Sequence, residues 1–364
     1  MKVDTISLNS VRLNTIALNH IGEIRSGGGG SKPSPIPQWI REHIVFYYDV
    51  KKQGATNETL KESAYLQDLS GKGRRMKLNN FLFAEMSGVG GYNDNFSNWR
   101  TDSNNGVVKI ESDSSIVIQS VKIEYRGALY QDGSKKATLK CNITGITEEL
   151  KGKLVFRYTD AEGSKNITLE NGYFEFNSSE YEGLSGWYGF TSKQPIDNCN
   201  ITITQIPEYP GVLVTDGVDD YGLVENLSSG VKMLFMTVNP MMLDAAIYDQ
   251  RFTSGWHRFA VITESNRVAY NAYNTQGKTY INGVLNESRT SNELQNEKQI
   301  ITIVNSEVNE TNSLPPNFFR IRGGGLRIKC AFYNSISFDS IPTEADGFTE
   351  QELIDYVLTN IIGQ

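Results

Sequence analysis

Thr215 to Asn226, TDGVDDYGLVEN, joins a turn to a short apolar strand. Asp216-Gly217 and Asp219-Asp220 are turn residues, because Asp bonds its own backbone and Gly supplies positive φ. Tyr221, Leu223 and Asn226 fall roughly on one side, and Gly222 and Val224 on the other. That is the pattern of a strand with one buried face.

Other stretches give the same signal. Ile44 to Tyr48 and Arg74 to Phe83 read as strands around the turn Asp68-Leu-Ser-Gly71-Lys-Gly73. Leu139, Cys141 and Ile143 alternate with polar neighbours, as do Leu154, Phe156 and Tyr158. Ile116 to Tyr125, Ile167 to Phe176, Cys199 to Ile206 and Leu326 to Tyr333 are further strands. Glu350 to Ile361 is the one convincing helix, with Leu353, Ile354, Val357, Leu358 and Ile361 at helical spacing. The 18 Tyr, 16 Phe and 33 Gly favour strands and turns. The expected class is all-β.

A chain of 364 residues is long enough for two or three domains. The net charge of −7 argues against a general nucleic-acid binder. No run is long enough to span a membrane as a helix, so no membrane insertion is expected. The start of the chain lacks the apolar core of a secretory signal. Three cysteines give no disulfide framework, which suits synthesis in a reducing cytoplasm.

Residues 1–26 repeat a five-residue unit, apolar-x-Leu-Asn-polar, through Ile6, Leu8, Val11, Leu13, Ile16, Leu18 and Ile21. Its apolar spacings alternate between two and three, which fits neither a helix nor a plain strand. Short strands bent at each Asn fit, either in a small β-solenoid or in chains wound round a shared axis. So short a segment needs stacked neighbours to close a core. It is expected to be an anchor and oligomerisation segment, the alternative being an arm lying on its own body. Residues 27–38 read as a linker, flexible in its Gly half and extended in its Pro half.

DGVDDY with the strand after it resembles the signature of laminin-G-like, concanavalin A-like jelly rolls. Trp256-His257-Arg258-Phe259-Ala260-Val261, Thr279-Tyr280-Ile281-Asn282-Gly283, Phe319 to Gly324 and Phe348 to Leu353 resemble later pieces of that family, in its order. Asp68-Leu-Ser-Gly resembles the family's opening, which there lies close to DGVDDY. Here the whole stretch between them intervenes. The resemblance therefore implies one jelly roll, 39–99 with 209–364, split by an inserted β-sandwich domain at 100–208.

The fold of that family hosts glycoside hydrolases as well as binders. Hydrolysis needs two carboxylates at a set separation. Glu111-x-Asp113 lacks a third acid, and Glu344-x-Asp346 is followed by Glu350 at the wrong spacing. His20, His43 and His257 stand in unrelated contexts, so no metal cluster or nucleophilic triad is expected. Gly323-Gly-Gly325 suits a tight turn. Cys141 and Cys199 fall at inward positions and read as core residues.

Two aromatic clusters are candidates for ligand binding: Trp187 with Tyr188, and Tyr92 with Trp99. Exposed rings stack on sugars while neighbouring polar groups bond hydroxyls. The alternative is that Trp187 and Trp99 plug the ends of their sandwiches. Asp216, Asp219 and Asp220 could ligate calcium, although the family's use of this turn implies a structural role and no cofactor. Arg320, Arg322, Arg327 and Lys329 form a basic stretch on a solvated face.

Tyr47 to Glu58, Asp68-Leu-Ser-Gly and Met86-Ser-Gly-Val-Gly-Gly-Tyr92 are similar to virion appendage proteins of phages of Bacteroidetes, including the crAss-like phages. That resemblance implies a non-enzymatic head fibre or capsid decoration protein at the virion surface, made in the host bacterial cytoplasm. Its partners would be the capsid or another virion protein through residues 1–26, further copies of itself in a homo-oligomer such as a trimer, and host or mucosal glycans. A tail-fibre or baseplate adhesin and a polysaccharide-cleaving enzyme are the alternatives.

Overall fold

The computed structural model describes residues 34–135, 138–227, 230–242, 245–251, 258–264, 267–270, 277–286, 297–305, 315–320 and 327–363. The anchor residues Ile6 to Ile21, the Gly-rich start of the linker, Trp256, His257, Arg322 and Gly323 to Gly325 lie outside the described residues. What is described is mostly strand, in four antiparallel sheets with few helices. The protein is all-β. No helix among the described residues is long and apolar enough to cross a membrane.

The chain divides into two compact units. The first takes the chain up to Phe83, Ser87–Val89 and Gly211–Gln364; the second takes Ala84–Met86 and Gly90–Pro210. Residues 90–99, expected in the first domain, therefore belong with the second, where Phe96 and Trp99 are buried in the core.

In the first unit, an eight-stranded sheet is centred on Met233–Pro240 and Cys330–Phe338. Ile44–Asp49 pairs with the second half of Cys330–Phe338, and Tyr209–Val214 with its start. A seven-stranded sheet runs Tyr65–Leu66, Met76–Asn79, Tyr221–Val224, Asn317–Phe318, Ala245–Arg251, Arg258–Glu264, Arg267–Tyr270. Both sheets feed one apolar cluster: Phe46, Leu234, Met236, Val238 and Phe332 from the first, Met76, Leu78, Val224, Tyr248 and Phe318 from the second. Each such side chain contributes about 1.5–3 kcal/mol on burial.

Met233–Pro240 is buried on both faces. Its alternate residues Met233 and Phe235 meet Ile36, Trp39, Ile40, Leu353, Ile354 and Val357 in a second cluster. Those residues come from two helices, Ile36–His43 and Glu350–Val357. The first corrects the extended reading of the Pro half of the linker. Pro35 and Pro37 sit at its start, where a missing N–H costs nothing, and the apolar side of IPQWIREH drives the turn. A third helix, Asn57–Ser63, also lacked a clear apolar period and was not expected. The expected C-terminal helix begins with a capping box between Thr349 and Glu352 and passes into a π-helical turn, Leu358–Ile362.

DGVDDY forms the expected turn and strand. Gly222 and Val224 are the buried side of Tyr221–Val224, while Tyr221 and Leu223 are half-buried. The strand expected from Arg74 to Phe83 is only Met76–Asn79, because Asn80 takes φ of 66° and ends it. Asn282 and Gly283, at φ of 51° and 83°, make the tight hairpin between Lys278–Ile281 and Val284–Asn286.

The second unit has two five-stranded sheets. One runs Gly163–Thr168, Leu154–Asp160, Trp187–Ser192, Leu129–Asp132, Arg100–Thr101. The other runs Gly172–Asn177, Thr138–Thr144, Ile201–Gln205, Ser115–Val121, Gly106–Ser112. Ile167 to Phe176, expected as one strand, is thus two strands in different sheets, with a turn at Gly172 of φ 110°. Their shared core is aromatic: Phe156, Phe174, Phe176, Tyr188, Phe190, Phe96 and Trp99, with Ile116, Ile118, Ile143, Ile201 and Ile203.

Candidate functional site

The site builds on the outer face of the sheet containing Trp187–Ser192. Alternation sends Tyr188 and Phe190 inward, and Trp187 and Gly189 outward. The same rule sends Phe156 and Tyr158 inward and Arg157 outward, and Leu129 inward and Tyr130 outward. Strand register then sets a row across the face: Arg100 opposite Tyr130, Tyr130 opposite Gly189, Gly189 opposite Arg157, Arg157 opposite Asn166.

Gly189 is the floor of this row. A Cβ there would collide with the Leu129 carbonyl oxygen and lie 2.6 Å from Tyr130 Cα. A Cβ at Gly127 would lie 2.8 Å from Tyr130 Cδ1. Two glycines thus leave room for the Tyr130 ring against the sheet, as glycine within a strand does where another group comes close. Trp187 meets this ring at 5.7 Å between centroids and 60°. Such an edge-to-face pair is worth about 0.5–1.5 kcal/mol beyond burial. Trp187 and Tyr130 are both half-buried, so part of each ring faces solvent.

Arg157 lies on the other side of Gly189. Its guanidinium carbon is 5.1 Å from the centre of the Tyr125 ring, and its Nη1 donates to Asn166 Oδ1 at 3.5 Å. Tyr125 is exposed and holds φ of 54°, a left-handed backbone uncommon for an aromatic residue. Its N–H donates to Ser192 O at 2.8 Å, which fixes it over the end of the same strand. The face therefore carries two partly exposed rings and a guanidinium on strands, with a third ring, Tyr125, on an adjoining turn. It can stack on the apolar faces of sugar rings and donate to their oxygens.

Of the four rings expected to bind ligand, only Trp187 lies on this face. Trp99 and Tyr188 are buried: Trp99 packs 5.7 Å from Tyr188 and 5.9 Å from Phe190. They hold the core and offer no face to a ligand. Tyr92 is half-buried over Gly90, where a Cβ would meet its ring at 3.1 Å. Tyr130, Tyr125 and Arg157 were missed. Their signal was weak: one outward aromatic in a short strand, LYQD, and a glycine inside GWYGF.

The acidic turn is the second candidate. Asp216, Asp219 and Asp220 each offer a carboxylate oxygen, and these lie within 4.8 Å of one another. Calcium is the ion such an oxygen cluster would take. Two of the three carboxylates, those of Asp216 and Asp220, are engaged by the chain itself. Asp216 Oδ1 accepts from the N–H of Val218 at 2.7 Å, and Asp220 Oδ2 from the N–H of Asp216 at 2.9 Å. Asp220 Oδ1 accepts from the Ser87 hydroxyl at 2.9 Å, and the Arg327 guanidinium bonds Val218 O in the same turn. Burial, with Asp216 and Asp219 adding to it, pushes the Asp220 carboxyl up to about 7. These bonds favour the structural reading of the turn.

Of the carboxylates weighed for hydrolysis, Glu111, Asp113, Asp346 and Glu350 are engaged, and Glu344 is exposed. Glu111 pairs with Lys109 at 2.7 Å, and Asp113 accepts from the Ser97 hydroxyl at 2.5 Å. Asp346 caps the turn after Thr343, whose N–H and O–H hold its carboxyl below the usual range. Glu350 accepts from the Tyr280 hydroxyl and pairs with Lys278. Cys141, Cys199 and Cys330 are free and buried. Arg320 lies over the Tyr221 ring, and Arg327 reaches back to Val218.

No protein-family model, curated protein or solved structure matches the chain.

Proposed function

We propose that this chain is a non-enzymatic phage virion surface protein whose second unit binds glycans. The observation that carries the binding reading is the Trp187–Tyr130 pair laid over Gly189 on the outer face of a rigid sheet. The engagement of Glu111, Asp113, Asp346 and Glu350 in hydrogen bonds and ion pairs favours binding over hydrolysis. The first unit is read as a laminin-G-like jelly roll split by the second. Two antiparallel sheets round one core, interrupted between residues 89 and 211, support that reading.

In this account residues 1–26 attach the protein to the particle and to its own copies, as a head fibre or capsid decoration protein. Many copies then give weak glycan contacts useful avidity. The test is electron microscopy of purified particles with gold-tagged antibody against residues 212–362. Label over the head is expected. Label confined to the tail would replace the head assignment with a host-recognition adhesin. No label on particles, with the protein present in the lysate, would remove the virion reading.

A further inference from the structure

We infer that the sugar bound on the Trp187 face carries a carboxylate, and that Arg157 receives it. This rests on the glycan reading above and names its ligand class. Arg157 stands on the strand next to the edge of the sheet, where register places it between Gly189 and Asn166. Tyr125 covers one face of its guanidinium at 5.1 Å, and Asn166 meets one nitrogen at 3.5 Å. No carboxylate pairs with it among the described residues. A guanidinium carries five donors in a planar fork, and most of that fork remains for an oxyanion.

The neighbouring charges agree. Arg100 is exposed on the same row, opposite Tyr130. Two acids lie nearby and both are engaged: Asp132, opposite Trp187, accepts through Oδ1 from both the N–H and the O–H of Ser134, at 2.9 and 2.7 Å, and Asp102 pairs with Arg126 at 2.5 Å. Lys165, on the next strand, is taken by Glu162 at 2.8 Å. The row thus presents two guanidiniums on either side of a ring and a glycine floor. A hexuronate fits it: the ring stacks on Trp187 and Tyr130 while the carboxylate takes the Arg157 fork.

The chain has a net charge of −7, so general attraction to a polyanion is disfavoured and retention reports a local site. The test is affinity electrophoresis of the full chain in gels containing polygalacturonate, its fully methyl-esterified form, or dextran. The ester keeps the ring and removes the charge. The wild type is expected to bind polygalacturonate on the order of tenfold more tightly than the ester, as suits one charge-assisted contact. Arg157→Gln is expected to erase that difference and leave the weaker binding to the ester. Arg157→Lys, a point charge without the fork, is expected to fall between. Trp187→Ala is expected to lose both. Equal binding of the acid and its ester by the wild type, or an unchanged preference in Arg157→Gln, would overturn the inference and leave the glycan reading standing. Retention by dextran alone would do the same. No retention by any of the three, extended to alginate and hyaluronate, would overturn both.

Discussion

Replacing Asp220 by Asn should change how the stability of the first unit depends on pH. Asp220 is 1% exposed and its carboxyl is pushed up to about 7, first by burial and then by Asp216 and Asp219. The ordinary value in the unfolded chain is about 3.9. Between those values the folded state holds a proton that the unfolded state has released. Stability is therefore full below about pH 4 and is lost as pH rises toward 7. At ~1.4 kcal/mol per pH unit the whole window is worth up to ~4 kcal/mol. Solvent around the half-buried Asp216 and Asp219 screens this to roughly 2 kcal/mol. An amide has no charge to bury, can accept from the Asp216 N–H and can donate to Ser87. The variant should then match the wild type near pH 4 and exceed it by roughly 2 kcal/mol near pH 8, or ~4–8 °C in melting temperature. Scanning calorimetry of the full chain and the variant across that range reads the difference directly. A difference that is constant with pH, or that grows toward acid, would show that Asp220 is not protonated in the folded chain over this range.

Trp99→Ala should cost about 3–5 kcal/mol of second-unit stability, since its ring is core, while Trp187→Ala should cost ~1 kcal/mol; thermal melts separate them. Asp68 accepts from the N–H of Tyr47 at 3.0 Å, Ser70 at 2.9 Å and Arg74 at 3.0 Å. Asp68→Ala strands these donors in a buried turn and should cost ~3 kcal/mol or more, seen as a large drop in melting temperature or in soluble yield. Burial raises the thiols of Cys141 and Cys199 and pushes Cys330 up to about 12. None should react with an aromatic disulfide reagent near pH 8 until denaturant is added. Thr349→Ala removes a helix cap and should lower first-unit stability by ~1 kcal/mol.

Much of the fold was legible because its strands alternate. Thr138–Thr144 and Leu154–Asp160 bury Leu139, Cys141, Ile143, Phe156 and Tyr158 as their pattern requires. Met233–Pro240 shows where that rule fails: helices cover Met233 and Phe235 on its far face, so its first half, Met233 to Met236, reads as an apolar run. The helix Ile36–His43 was hidden by prolines, which are harmless in a first turn. The site was legible only at Trp187. Sequence shows which rings exist but not their phase across a sheet, so Tyr188 and Trp99 looked equal to it. Tyr130 and Arg157 become neighbours of Trp187 only through register, which is set by long-range pairing.

Glycan binding by the outer face around Gly189 is open to direct test. The most direct measurement is a glycan array probed with the full chain and with Trp187→Ala and Tyr130→Ala, each confirmed folded by its melting temperature. The wild type is expected to bind a subset of glycans and each variant to lose about two- to tenfold of that signal, as loss of a stacking ring entails. Full binding by both variants would contradict glycan binding at this face.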